Sequence, residues 1–186
     1  MYFTSKVSIE RYSMYLISVY FDQKAQRTME RYIHQIAVKT GNLFMTDNHV
    51  PPHLTISSVE ARSGELLLPY VEKLRGQLSK GTVQFVSVGA LLPYVIYLTP
   101  VLNAYLQELS QKIYDTVSGI EEVSVSKFYR PMQWLPHLTL GKTLTKEQMR
   151  TAFEVMQESF VPFDVTVIKI GLAKTNPHED LWTLEL

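Results

Sequence analysis

Cysteine is absent from this chain of 186 residues. Disulfides, thiolate nucleophiles and cysteine-ligated zinc are therefore excluded. An excess of either charge is absent too: Lys+Arg and Asp+Glu number 18 each, for a formal net charge of zero. Bulk capture of long nucleic acid needs a strong basic excess. A short phosphate-bearing ligand needs only a few local donors and stays open. No run approaches the roughly 18 apolar residues of a membrane span. The opening MYFTSKVSIERYSMY lacks the continuous apolar core of a signal peptide. A soluble, cytoplasmic protein is expected. The hydrophobic fraction, 46%, suits a chain with a real core. That length makes one domain, or at most two small, intimately packed lobes.

What the chain does contain is a repeated order of elements. Residues 14–21, MYLISVYF, read as a strand. A helix is predicted over about 23–39, with Asp22 as its cap, Gly41 after its end, and Met29, Tyr32, Ile33, Ile36 and Ala37 as its buried stripe. A loop, NLFMTDNHVPP, leads to a strand HLTISSV. A second helix is predicted over about 64–79 from Leu66, Tyr70, Val71, Leu74 and Leu78, ended by Gly81, then a strand at 82–88. GALLP, 89–93, reads as the turn between halves. The second half repeats the order. A strand at 94–99 is followed by a helix starting at Thr99-Pro100, with the stripe Leu102, Leu106, Leu109, Ile113 and Val117. After a loop at 119–135 come HLTLGKTL and a helix at about 146–158. That helix carries a Thr145–Gln148 capping box and a core face of Met149, Ala152, Phe153 and Met156. Strands at about 162–173 and 180–186 flank the turn KTNPHED. The expected fold is α+β: one domain of two pseudo-symmetric βαβαβ lobes, about 14–90 and 91–186, with antiparallel or mixed sheets facing a central cleft and helices outside.

The tetrapeptide Pro-His-Leu-Thr occurs at equivalent points of both halves, with His53 and His137 84 positions apart. On a strand, His53 and Thr55 share one face and Leu54 and Ile56 the other; His137 and Thr139 are opposed to Leu138 and Leu140 in the same way. Each copy thus offers an imidazole and a hydroxyl about 6.6 Å apart along the strand. If the halves pack with approximate two-fold symmetry, both pairs face one cleft. Two imidazoles around one ligand form an acid/base pair near neutral pH. Hydroxyls between them can hold an anion. In-line displacement at phosphorus fits this arrangement, with nucleophile and leaving group on opposite sides. That scheme needs no metal and no cofactor.

His-x-Thr-hydrophobic, twice, on two α/β lobes, resembles the 2H phosphoesterase superfamily, which includes bacterial 2′-5′ RNA ligase-like proteins and cyclic phosphodiesterases. The resemblance spans about 14–186. It implies metal-independent hydrolysis or transesterification of a 2′,3′-cyclic phosphate or a 2′-5′ linkage. By position, it makes His53 and His137 the acid/base pair and Thr55 and Thr139 the phosphate-holding hydroxyls. Relatives often add aromatic or basic residues beside the site; Tyr129 and Arg130, just before the second motif, are the substrate-binding candidates here. The expected partner is a nucleotide or RNA-end phosphodiester substrate, with no membrane, no obligate protein partner and a monomeric state.

Two alternatives use the same cleft: a nucleotide or RNA-end binding module without turnover, and a 2′-5′ RNA ligase. A metal site at His49 and His53 is not expected. Their spacing needs a helix, and Pro51-Pro52 prevents one. His34 and His178 read as surface residues, Lys24, Arg27 and Arg31 as a solvated face, and Lys142 has no assigned role.

Overall fold

The computed structural model describes residues 12–175 and 178–186. Most of the stretch read above for a leader, and two residues of the turn KTNPHED, lie outside them. The element order is β1 (Ser13–Phe21), α1 (Gln23–Thr40), α2 (Phe44–Asp47), β2 (Leu54–Ala61), α3 (Leu68–Val71), β3 (Gly81–Leu91), β4 (Val95–Pro100), α4 (Ala104–Val117), β5 (Ser124–Val125), β6 (Leu138–Gly141), α5 (Lys146–Ser159), β7 (Phe163–Lys174) and β8 (Glu179–Glu185). This is an α+β fold with one antiparallel eight-stranded sheet in the order β5-β2-β1-β7-β3-β4-β6, with β8 on β7. Each half lends a strand to the other. β7 pairs along one edge with β1; along the other it pairs first with β3 and then with β8.

β2 and β6 have four strands between them along the sheet. Nevertheless the sheet curls until their Cα atoms come within 8 Å. The two repeats therefore meet in space. One apolar cluster pins them. It joins Ile17, Val19, Leu54, Ile56, Ile96, Leu98, Leu138 and Leu140 to the inner stripes of the helices. Leu54, Ile56, Leu138 and Leu140 are each at most 1% exposed. Burying one such side chain is worth about 1.5–3 kcal/mol. A one-residue slip would exchange these four for two histidines and two threonines, so packing alone fixes the register of both motifs.

Local chemistry sets the clearest helices. Asp22 caps α1 by accepting from the Ala25 amide at 3.0 Å, and Gly41 closes it at φ 70. α5 carries the full Thr145–Gln148 capping box. Among the described residues no helix is long and apolar enough to cross a membrane.

Four expectations are corrected. The helix at 64–79 is instead a chain of short turns, Gly64–Leu66, α3 and Glu72–Leu74. Pro69 cannot donate to a helical ladder. Beyond Leu74, Arg75 turns extended and Gly76 left-handed at φ 76. Glu72 is meanwhile engaged by Trp182 Nε1 at 2.6 Å, from β8. Leu67 rather than Leu66 is fully buried there. Next, Gly89 to Leu91 continue β3, so the turn is shorter than GALLP. Third, α4 starts four residues past Pro100, at Ala104. Thr99 and Pro100 stay in the ladder opposite Ser87 and Phe85, and Asn103 is the cap, accepting from the Leu106 amide. Leu102 is accordingly exposed. Finally, Val155 replaces the half-exposed Phe153 on the core face of α5.

Candidate functional site

His53 and His137 each stand immediately before the strand that carries their threonine, and each follows a buried proline, Pro52 or Pro136. Proline keeps the preceding backbone extended. In that geometry each imidazole reaches back to a main-chain carbonyl two residues upstream. Nδ1 lies 2.8 Å from the Pro51 oxygen in His53 and 2.9 Å from the Leu135 oxygen in His137. A carbonyl oxygen only accepts, so Nδ1 carries the hydrogen in both rings. Nε2 is then the basic nitrogen of each neutral ring, free to take a proton or, once charged, to give one. The repeat thus extends beyond sequence to tautomer.

The structure brings the two rings into electrostatic reach of one another. His53 is held below the ordinary histidine value of 6.5, first by burial; the backbone bond to Pro51 opposes this, and the charges of His178 and His137 add to it, while Asp180 opposes. The residue as a whole is only partly buried. The dense surroundings still set the sign. A cation on His137 thus disfavours a second one on His53.

The threonines differ. Thr55 is buried, and its hydroxyl lies 3.3 Å from the Ser18 hydroxyl on β1, directly opposite in the ladder. Thr139 is half-buried and stands opposite Tyr97 on β4. Tyr129 and Arg130 sit on the segment that follows β5 along β2, where the Ser126 amide donates to the Ser58 carbonyl at 2.9 Å. Tyr129 packs on the core, and burial raises its hydroxyl pKa; Arg130 is exposed. Neither has a ring contact or hydrogen bond to a motif histidine among the described residues.

Several neighbours escaped the sequence reading. The Tyr20 ring lies 6.3 Å from that of His53, and the Tyr97 ring 5.3 Å from that of His137. Lys169 Nζ sits 4.7 Å over Tyr20, whose hydroxyl pKa is pushed up to about 12 by burial and by Asp180. His178, read as a turn residue, is exposed as expected, and its Nε2 lies 3.3 Å from Asp180 Oδ1. Its charge nevertheless reaches His53. No local pattern marks the two tyrosines; each is brought to its histidine by the pairing of β1 with β2 or of β4 with β6.

No group of three or more His, Asp or Glu poised for a metal occurs among the described residues. His49 is exposed, and its Nδ1 is occupied by the Thr46 carbonyl at 2.7 Å. Two cavities, of about 370 Å³ beside Met45, His49 and Pro51 and about 210 Å³ between α1 and α5, contain neither motif histidine.

With this geometry in place, comparison with known proteins is specific. The model of the 2′-5′ RNA ligase superfamily matches residues 22–179. E. coli LigT, crystallised with 3′-AMP, is similar at 16% identity and a TM-score of 0.60, covering 95% of this chain and 99% of that one. A structure described as a phosphoesterase is similar at 16% identity and 0.63, covering 94% and 98%. TT0787 of Thermus thermophilus is similar at 14% and 0.62, covering 93% and 97%. No curated protein matches the chain. The structural likenesses speak for the fold, and the family model spans most of the sequence including both Pro-His-Leu-Thr motifs: the chain belongs to the 2′-5′ RNA ligase superfamily, the 2H phosphoesterases.

Proposed function

We propose that this protein is a metal-independent phosphodiesterase that opens a 2′,3′-cyclic phosphate or cleaves a 2′-5′ linkage, with His53 as general base and His137 as general acid. The single observation that carries this reading is the matched pair of imidazoles, one from each repeat, both in the Nδ1–H tautomer and within electrostatic reach of each other. In the hydrolytic step, Nε2 of His53 takes a proton from water as the water oxygen bonds to phosphorus. The bond from phosphorus to the 2′ oxygen breaks, and that oxygen takes the Nε2 proton of His137. A phosphomonoester results, and exchange with solvent restores both rings. The surroundings support this division of roles: burial favours the neutral form of His53, and a protonated His137 would reinforce it. Thr55 and Thr139 hold the non-bridging oxygens, and Tyr129 and Arg130 meet the rest of the nucleotide. That E. coli LigT was crystallised with 3′-AMP supports a nucleotide-sized ligand. The two lobes act as one domain and one monomer.

The test is turnover of 2′,3′-cyclic nucleotides and 2′-5′ dinucleotides in the presence of chelator. Product is expected from wild type and not from His137→Ala. Tight nucleotide binding with no product between pH 5 and 8 would instead identify a binding module, and joining of RNA ends a ligase.

A further inference from the structure

We propose that Tyr20 and Tyr97 are positioning residues, one for each histidine, whose rings hold the imidazoles with Nε2 turned into the cleft. The inference rests on the reading above and extends it to two residues outside the repeated motif. Strand alternation supplies the first argument. Val19 and Phe21 are 0% and 3% exposed on the core face, and so are Ile96 and Leu98, both at 0%. Tyr20 and Tyr97 stand between them and point the other way. A large aromatic on the face away from the core should be wet, yet these two are 8% and 7% exposed. The motif histidine is part of what covers each of them.

The second argument comes from the floor beneath the rings. Tyr97 lies across Gly89, its ladder partner on β3, where an added Cβ would stand 2.6 Å from its hydroxyl oxygen. Tyr20 lies across Gly171 on β7, where an added Cβ would stand 3.2 Å from its ring. Glycine inside a strand weakens it and marks close approach of another group. Here it occurs once in each half, under the tyrosine that flanks the histidine. The third argument is mechanical. The Nδ1 bond to a carbonyl, worth about 0.5–1.5 kcal/mol, does not by itself keep each imidazole from swinging off that carbonyl. A ring contact at 61° for His137 and 45° for His53 blocks the swing. Hydrogen bond and ring contact together define the direction of Nε2.

The experiment compares Tyr97→Leu, Tyr97→Phe and Gly89→Ala, with Tyr20→Leu and Tyr20→Phe for the other lobe. Turnover of a 2′,3′-cyclic nucleotide is one readout; 15N NMR of the imidazoles is the other. The leucine variants are expected to lower kcat by about 10- to 100-fold with KM changed less than about threefold, as misdirected catalytic groups do. Phenylalanine, which keeps the ring, restores most of the loss. Gly89→Ala, which displaces the Tyr97 ring, falls between. In the spectra, the neighbouring histidine passes from one Nδ1–H tautomer to a tautomer mixture in the leucine variants alone. Leucine variants with wild-type kcat and an unchanged tautomer would overturn the proposal. So would phenylalanine variants as impaired as leucine ones, which would assign the role to the hydroxyl. Should wild type turn over nothing, the proposed activity fails, and the NMR comparison still decides the positioning role.

Discussion

Consider replacing His53 by asparagine. The amide nitrogen can still donate toward the Pro51 carbonyl, which receives Nδ1 at 2.8 Å in the native ring. What vanishes is Nε2. A lost proton-transfer role lowers the rate by roughly 10²–10⁴-fold, which at about 1.36 kcal/mol per tenfold is about 2.7–5.4 kcal/mol of barrier. The effect on folding is smaller. At worst one hydrogen bond worth about 0.5–1.5 kcal/mol is lost, a shift of roughly 1–6 °C in Tm for a chain of this size. The same numbers hold for His137→Asn and the Leu135 carbonyl. If the rings work on one ligand, His53→Asn/His137→Asn lowers kcat little further than the worse single variant, because the second group has nothing left to assist. Turnover on a cyclic nucleotide, beside thermal melts of all four proteins, reads both quantities. Near-native kcat in either single variant refutes the acid/base assignment. A loss of rate that merely tracks the loss of Tm refutes it equally.

Four further outcomes follow from the geometry. Since His53 is depressed below 6.5, the unfolded chain takes up a proton near pH 6.5 that the folded ring still refuses; stability therefore declines as pH falls through 6.5, levels off below the folded pKa, and declines less in His53→Asn, as urea titrations at several pH values can show. The acid limb of kcat/KM lies below 6.5 for the same reason. Thr55→Val strands the buried Ser18 hydroxyl and should lower stability by about 1–3 kcal/mol, whereas Thr139→Val, which strands no partner among the described residues, should leave the melt almost unchanged; equal melts would contradict the Ser18 contact. Asp22→Ala removes the α1 cap and the bond from the Thr166 amide at 2.9 Å, a loss of about 0.5–2 kcal/mol from the cap. Partial burial raises the Asp22 pKa, but backbone bonds from Thr166, Ala25 and Lys24 outweigh it and lower it overall; that stability is present above the ordinary carboxylate range and disappears as pH falls through the folded value, so the variant should differ least from wild type in acid.

The parts of the fold legible in sequence are those decided within a few residues. The Asp22 cap, the Gly41 stop and the Thr145–Gln148 box satisfy their backbone groups locally, and α1 and α5 stand where spacing put them. The Leu54/Ile56 and Leu138/Leu140 faces follow from strand alternation and are buried as read. Distant contacts decided the rest. Trp182 and Arg75 engage Glu72 in the segment read as a helix, and the β3 ladder holds Pro100 in a strand until Asn103 can cap α4. The site divides the same way. Both histidines were visible through repetition. Tyr20, Tyr97 and Ser18 were not, because each reaches its partner across a strand pairing that no local spacing encodes.

Two copies of one motif need not remain equal once they fold. A strictly symmetric pair of imidazoles would share one affinity for protons, and neither would be predisposed to give or to take. Here the flanking strands break the symmetry. Ser18 faces Thr55 where Tyr97 faces Thr139; Lys169 lies over Tyr20; and the His178–Asp180 turn reaches toward His53. All of these differences lie outside the tetrapeptides, in β1, β4, β7 and the start of β8 with the residue before it. The motif supplies the atoms, then, and the strands around it set the proton. On this argument exchanging surroundings should exchange roles. Ser18→Tyr with Tyr97→Ser would not suffice, because burial, the dominant influence on His53, comes from the whole wall around it. Removing the charges of that wall, by His178→Gln and Asp180→Asn together, should move the acid limb of kcat/KM by less than burial does and leave His53 below 6.5. An acid limb at or above 6.5 in that variant would show that the charges, and not burial, hold the ring neutral.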